Sequence, residues 1–174
     1  MATATRNTEM LEREHVPYAE SHHPAAFTAQ TVAQKEHISG HRVAKVVAVL
    51  ADGRPIALVL PASRHVVLED VRHLLGVGEV RLATEEEIDK FFPDCERGAI
   101  PALRHWPSVE VLMDTSMIVT GDILIQAGTH YDAVRMRFED WMRLVNPQVG
   151  SFSQSLGLNR REDEEEHFDH GGFD

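Results

Sequence analysis

The sequence predicts an α+β fold, a compact mixed sheet or partial barrel with flanking helices, and three observations carry that prediction. Helical and strand-like segments do not alternate as a regular β-α-β series would. The stretch after Pro93 breaks into several short apolar segments typical of strands. At 174 residues and 43% hydrophobic content, the chain suits one ordinary domain with a real core.

Taken in order, Pro24 followed by AAFTAQTVAQ places Phe27, Val32 and Ala33 on one face and predicts a first helix. Arg42 to Leu50 (RVAKVVAVL) is apolar and β-branched, Asp52-Gly53 supplies a turn, and Ile56 to Leu60 returns as a second strand. Val67 to Leu75 reads as a helix closed by Gly76, where a left-handed residue is wanted. Thr84, with Glu87 three residues on, forms a capping box for a helix that Pro93 must end. After the loop DCERGAIPALRHWP, strands are expected at Val109 to Met113, Ser116 to Val119, Ile123 to Ala127 and Ala133 to Phe138. A closing helix, Glu139 to Val145, stops at Asn146-Pro147.

The ends differ from this middle. Residues 1–15 read as a polar lead, 16–150 as the domain, and 151–174 as an acidic tail expected to be mobile, because NRREDEEEHFDHGGFD has little apolar surface to offset its ordering entropy. The formal net charge is −11, and the tail contributes two arginines against seven acids. Such a chain is no general nucleic-acid coat, since phosphate binding demands basic surface. A nucleic-acid partner must be gripped by a local patch or delivered by another protein. No apolar run approaches the ~20 residues that cross a bilayer, and the start lacks an apolar signal core. With a lone cysteine, Cys95, the expectation is a cytoplasmic protein with no membrane partner.

Lys45 is the residue most out of place, a lysine among Val43, Ala44, Val46 and Val47. Either its stem snorkels while the charge reaches water, or the ammonium lines a pocket floor and stabilises negative charge. Gly98-Ala99-Ile100-Pro101 is either a plain turn or a loop whose glycine lets backbone N–H groups approach a ligand. His130 follows Gly128-Thr129 at a strand end, a place for functional groups and for ordinary surface histidines alike. Asp114, Thr115 and Ser116 form either a polar wall or a turn. Eleven histidines invite a metal, yet His22-His23, His37 with His41, and His167 with His170 lack a convergent third ligand, so no metal or cofactor is expected. Asp94 and Glu96 flank Cys95 and oppose thiolate formation. Nucleophile elbow, phosphate-binding loop and dinucleotide fingerprint are all missing from the sequence.

The order of these features resembles the YbaK and prolyl-tRNA synthetase-associated domain family, whose members hydrolyse mischarged aminoacyl-tRNA. The carriers are Tyr18, His23-Pro24, Thr28-Ala29, Ala33, the strand HRVAK ending at Lys45, LVLPA from Leu58, LATEEEI from Leu82, ERGAIP from Glu96, the strand ending at Asp114, and AGTH ending at His130. They span Val16 to Val145. The resemblance implies a mixed sheet bent around a small pocket, with Lys45 as the family's essential lysine and Gly98 to Pro101 as the loop holding the aminoacyl group. It implies a substrate-assisted reaction, in which the ribose hydroxyl helps water attack the ester. Lys45 and Gly98 then stand as catalytic residues, and Ala99, Ile100, Pro101, Asp114, Ser116, Thr129 and His130 as substrate-binding ones. The partner is the acceptor end of a mischarged tRNA, with alanyl-tRNA(Pro) as first substrate, and an aminoacyl-tRNA synthetase is a second expected partner.

The sequence departs from the family at two places. Relatives often continue the loop as proline-proline-phenylalanine-glycine, whereas Pro101 here is followed by Ala102-Leu103-Arg104, which alters the pocket rim. Val46 stands after the lysine in place of a polar group. The expected activity is that of a freestanding deacylase. The alternative is a YbaK-like binding module without catalysis that associates with a synthetase or regulatory partner.

Overall fold

A computed structural model describes residues 3–155. The run 159–174, expected as a mobile tail, lies outside them. The elements are α1 (Thr3–Arg13), β1 (Tyr18–His22), α2 (Ala29–Lys35), β2 (Val43–Ala51), β3 (Arg54–Pro61), β4 (Arg64–Val66), α3 (Leu68–Leu75), β5 (Val80–Leu82), α4 (Glu85–Phe91), β6 (Glu110–Asp114), β7 (Asp122–Gln126), β8 (Asp132–Arg137), α5 (Phe138–Val145), β9 (Gln148–Gly150) and β10 (Ser153–Ser155). The main sheet runs β1-β8-β7-β2-β3-β6-β9, with β5 also on β2 and a separate β4-β10 pair. Parallel and antiparallel pairings mix, so the α+β expectation matches the architecture.

Local chemistry explains most elements. Gly76 closes α3 in the left-handed region at φ 65°. The Thr84 side chain accepts from the Glu87 N–H while the Glu87 side chain accepts from the Thr84 N–H, which starts α4 as the sequence predicts. Asn146 ends α5 in left-handed conformation. The helix expected after Pro24 is α2, and it starts later than expected, at Ala29, because the Thr28 hydroxyl caps the Thr31 N–H at 3.1 Å. Phe27 is left outside it and 64% exposed. The strand expected at Ser116 to Val119 is a 3-10 turn, Thr115–Met117, because the Asp114 carboxylate caps the Ser116 N–H and bends the chain.

The sheet's two faces are unlike. One carries the main core, in which Ala48, Val59, Met113, Ile123 and Ile125 meet Trp141 and Val145 of α5 and Leu11 of α1. The other is divided: α2 covers Val43, Leu124 and Ala133 at one end, and α3 covers Val49, Leu58 and Leu112 at the other. Lys45 lies on this second face, between the two clusters, because side chains alternate along β2.

Both ends of the described chain pack. Residues 1–15 were expected as a polar lead, yet α1 buries Leu11 and Asn7 completely. Residues 151–155, expected to open the tail, are built in: Phe152 is fully buried in the α3 cluster, and β10 pairs with β4. Leu11 in a polar helix at one end and Phe152 among serines at the other were too small a signal.

The docked α1 gives a pH prediction. Burial pushes the pKa of His105, which bonds Asn7 of α1, down to about 4 from an ordinary 6.5. The unfolded chain therefore binds more protons between these values, so this contribution is complete above pH 6.5 and is lost as pH falls towards 4. Urea unfolding at pH 7.0 and 4.5 is expected to show His105→Gln losing less stability on acidification than wild type. The difference is roughly 2 kcal/mol after allowing for the ring's residual solvent contact.

Candidate functional site

The site begins with a break in the sheet. On the β7 side, β2 pairs only at Val43 and Ala44, and β5 joins it only from Val49 onward. Lys45 stands at the start of that gap. Lys45 faces Leu60 on β3, and one step past the Ala44–Ile125 pair brings Gln126 of β7 beside it. One step past the Val59–Met113 pair brings Asp114 into the same row. The row across this otherwise apolar face therefore reads Gln126, Lys45, Leu60, Asp114, with Gln126 next to Lys45 and Leu60 separating Lys45 from Asp114.

The row's members are not equivalent. Lys45 is partly buried, desolvation lowers its pKa, and among the described residues its ammonium has no hydrogen bond or ion pair. A desolvated ammonium without a partner is costly, and a ligand anion or polar oxygen would offset the cost. Asp114 is filled from within. Its carboxylate accepts from the Phe152 N–H at 2.7 Å, the Ser153 hydroxyl at 2.8 Å, the Ser116 N–H at 3.0 Å and the Ser116 hydroxyl. Burial alone would raise its pKa, but these bonds outweigh it and hold the group below the ordinary carboxylate value. Asp114→Ala strands four donors, and urea denaturation is expected to register a loss of about 2–4 kcal/mol.

Gln126 joins the row to the Gly98 loop. It is 2% exposed, and its side-chain Nε2 donates to the Gly98 carbonyl at 2.7 Å. Gly98 has φ +80°, and a Cβ there would lie 2.7 Å from the Phe27 carbonyl oxygen, so the position requires glycine. The Ala99 N–H donates to Glu96 C=O at 3.1 Å, which closes the turn. Among the described residues the Gly98 and Ile100 amides make no hydrogen bond. Ala99, Ile100 and Pro101 are buried, so their side chains anchor the loop to the core.

The second loop is stitched to the first. Gly128 N–H donates to Ala99 C=O at 2.9 Å, and Glu96 N–H donates to Gly128 C=O at 2.7 Å. His130 N–H donates to the Glu96 carboxylate at 2.6 Å, and its Nε2 donates to Arg97 C=O at 2.7 Å. The exposed Phe27 ring meets the His130 ring edge-on at 4.6 Å. Thr129 is taken up by its own turn, donating to Asp132 at 2.6 Å and accepting from the Tyr131 N–H.

The predicted residues thus fall into two sets. Gln126, beside Lys45 by strand register, bonds Gly98, and Ala99 to Pro101 with His130 build the adjoining loops. Asp114 and Ser116 hold β9, β10 and the 3-10 turn, while Thr129 holds its own turn. Sequence reasoning missed Gln126, although a glutamine ending the apolar strand DILIQ is as anomalous as Lys45. Cys95 has its thiol pushed up to about 11, first by burial and then by Asp94, which disfavours a thiolate. No three His, Cys, Asp or Glu side chains converge on a metal position among the described residues. No helix there is long and apolar enough to cross a membrane.

Three structural likenesses bear on this arrangement. The fold is similar to that of a hypothetical protein, at TM-score 0.78 and 16% identity over 86% of this chain and 99% of that one. It is similar to a candidate trans-editing enzyme for prolyl tRNA synthetase, at TM-score 0.76 and 19% identity over 89% of this chain and 99% of that one. It also matches 31% of a candidate signal transduction protein from Marinobacter aquaeolei VT8, at TM-score 0.68 and 13% identity over 88% of this chain. At these identities the likeness is one of fold. No curated protein matches the sequence. The family model described as the aminoacyl-tRNA editing domain matches residues 23–144, the segment that contains Lys45, the Gly98 loop, Gln126 and His130. By that match, which spans most of its length, the chain belongs to the aminoacyl-tRNA editing domain family, the YbaK family to which its ordered motifs point.

Proposed function

We propose that the protein is an aminoacyl-tRNA deacylase acting in trans, which hydrolyses the ester of a mischarged tRNA, with alanyl-tRNA(Pro) as first substrate. The observation that carries this reading is an unpartnered, partly desolvated Lys45 ammonium at a break in the sheet, next by register to Gln126, whose side chain bonds a glycine loop with free amides. Membership of the editing-domain family supports the reaction class.

The chemistry asks little of the protein. An aminoacyl ester is already activated, so hydrolysis needs a positioned water and stabilisation of the oxyanion. Water adds to the ester carbonyl carbon, and the oxyanion accepts from the Gly98 and Ile100 amides. The intermediate collapses with cleavage of the bond to the ribose oxygen. The neighbouring ribose hydroxyl relays the water's proton to that leaving oxygen, which gives free amino acid and a tRNA ending in an intact ribose. Lys45 holds the terminal phosphate or nearby backbone and fixes the ribose. His130, with Phe27 against its ring, shapes the rim near the terminal adenosine.

A panel of mischarged tRNAs tests the reading. Alanyl- and cysteinyl-tRNA(Pro), labelled on the amino acid and mixed with excess protein, are expected to include at least one that releases label well above its spontaneous rate. A panel untouched throughout would instead favour a binding module that associates with a synthetase or regulatory partner. In that case a synthetase captured by wild type is captured equally by Lys45→Ala.

A further inference from the structure

Helix α1 lies ahead of the segment that the family model matches, yet it is tied to both loops of the candidate site. Asn7 is completely buried, a place where an amide must satisfy its hydrogen bonds. Its Oδ1 accepts from His105 Nε2, and its Nδ2 donates to the Ala127 carbonyl at 3.1 Å. Ala127 immediately precedes Gly128, which exchanges hydrogen bonds with Ala99 and Glu96. One turn face of the helix thus grips the strand end from which the second loop departs.

A second tie reaches the first loop. Arg6 forms an ion pair with Asp94. Asp94 has φ 68°, in the left-handed region that aspartate adopts more readily than most non-glycine residues, so it marks a turn at the start of this loop. It stands two residues before Glu96, the residue whose carboxylate receives His130 N–H. Leu11 anchors the helix by complete burial in the main core. Adjacent residues of one helix therefore fix the starts of two separate loops, with a buried apolar anchor a turn further on.

We propose that α1 is a positioning element for the candidate site, setting through Asn7 and Arg6 the loops 94–99 and 127–130 that border Lys45. The helix contributes no group to the ester. It fixes where the Gly98 and Ile100 amides point, and an error of about 1 Å in such placement can cost 10²-fold in rate. The kinetic part rests on the deacylase reading, and the structural part stands without it.

Amide hydrogen exchange on the full chain separates the two. Asn7→Ala is expected to speed exchange at Glu96, Ala99, Gly128 and His130 about tenfold while the amides of β2 and β3 keep their wild-type rates. Deacylation by this variant is expected to lose about tenfold in kcat with KM within twofold. Uniformly faster exchange across the fold would overturn the proposal, because Asn7 would then be general ballast, and unchanged loop exchange would overturn it outright. If Asn7→Ala does not fold, Arg6→Ala decides: faster exchange confined to 94–99 supports the positioning role, and wild-type exchange there ends it. A wild type without deacylase activity defeats the proposed function and leaves the exchange test in force.

Discussion

Lys45→Met is expected to lower deacylation by about 10²- to 10³-fold, the usual effect of removing one positioned donor or cation from an acyl-transfer site. The same change is expected to leave the melting temperature unchanged or raise it. The two effects have one origin. The ammonium is desolvated and without a partner in the described protein, so wild type bears a cost that a neutral side chain of similar shape relieves. Loss of activity together with retained or increased stability marks a group kept for a ligand rather than for the fold. Lys45→Arg keeps the charge but spreads it over a larger planar head, and it is expected to recover only part of the rate. If Lys45 were a snorkelling surface lysine, all three proteins would deacylate alike.

Gly98→Ala is expected to cost roughly 1–3 kcal/mol in stability and about 10²-fold in activity. Alanine strains a backbone at φ +80°, and its Cβ meets the Phe27 carbonyl at 2.7 Å, so one of the two segments must move. Movement displaces the Gly98 carbonyl from Gln126 and re-aims the neighbouring amides. Gly53 supplies the control, since its φ is +81° but nothing lies within 4 Å of an added Cβ. Gly53→Ala is expected to show the strain alone, about 1 kcal/mol with wild-type activity. Thermal unfolding and single-turnover rates of the two variants therefore separate conformational strain from loss of site geometry.

How much of this was legible in the sequence follows from what sets each element. Elements fixed by local chemistry were readable: the Asp52-Gly53 hairpin, Gly76 closing α3, the Thr84–Glu87 box and the apolar β2. Elements fixed by tertiary contact were not. Helix α1 has a polar sequence whose one fully buried leucine gives no periodic run, and β1 (YAESH) is an edge strand held by β8. Strands β9 and β10 are three residues each, and the segment that joins them and opens β10 is held at Phe152 and Ser153 by the Asp114 carboxylate, 38 and 39 positions away in sequence.

The site divides the same way. Lys45 was visible because it breaks a local rule, a charge in an apolar strand, whereas Gly98 reads as an ordinary turn residue and was singled out only by the family resemblance. Gln126 breaks the same rule as Lys45, but its significance appears only when β7 is laid beside β2. Asp114 enters the row by register and Ser116 follows it in the 3-10 turn, yet the Asp114 carboxylate is saturated by Ser116, Phe152 and Ser153. Residue type alone does not distinguish a carboxylate aimed at a ligand from one saturated by its own fold.

The most direct test is a single-turnover measurement with labelled alanyl-tRNA(Pro) and excess protein, wild type and Lys45→Ala side by side against buffer alone. The account predicts rapid release of alanine by wild type and a rate close to buffer for Lys45→Ala. Equal release by the two proteins would contradict the role given to Lys45.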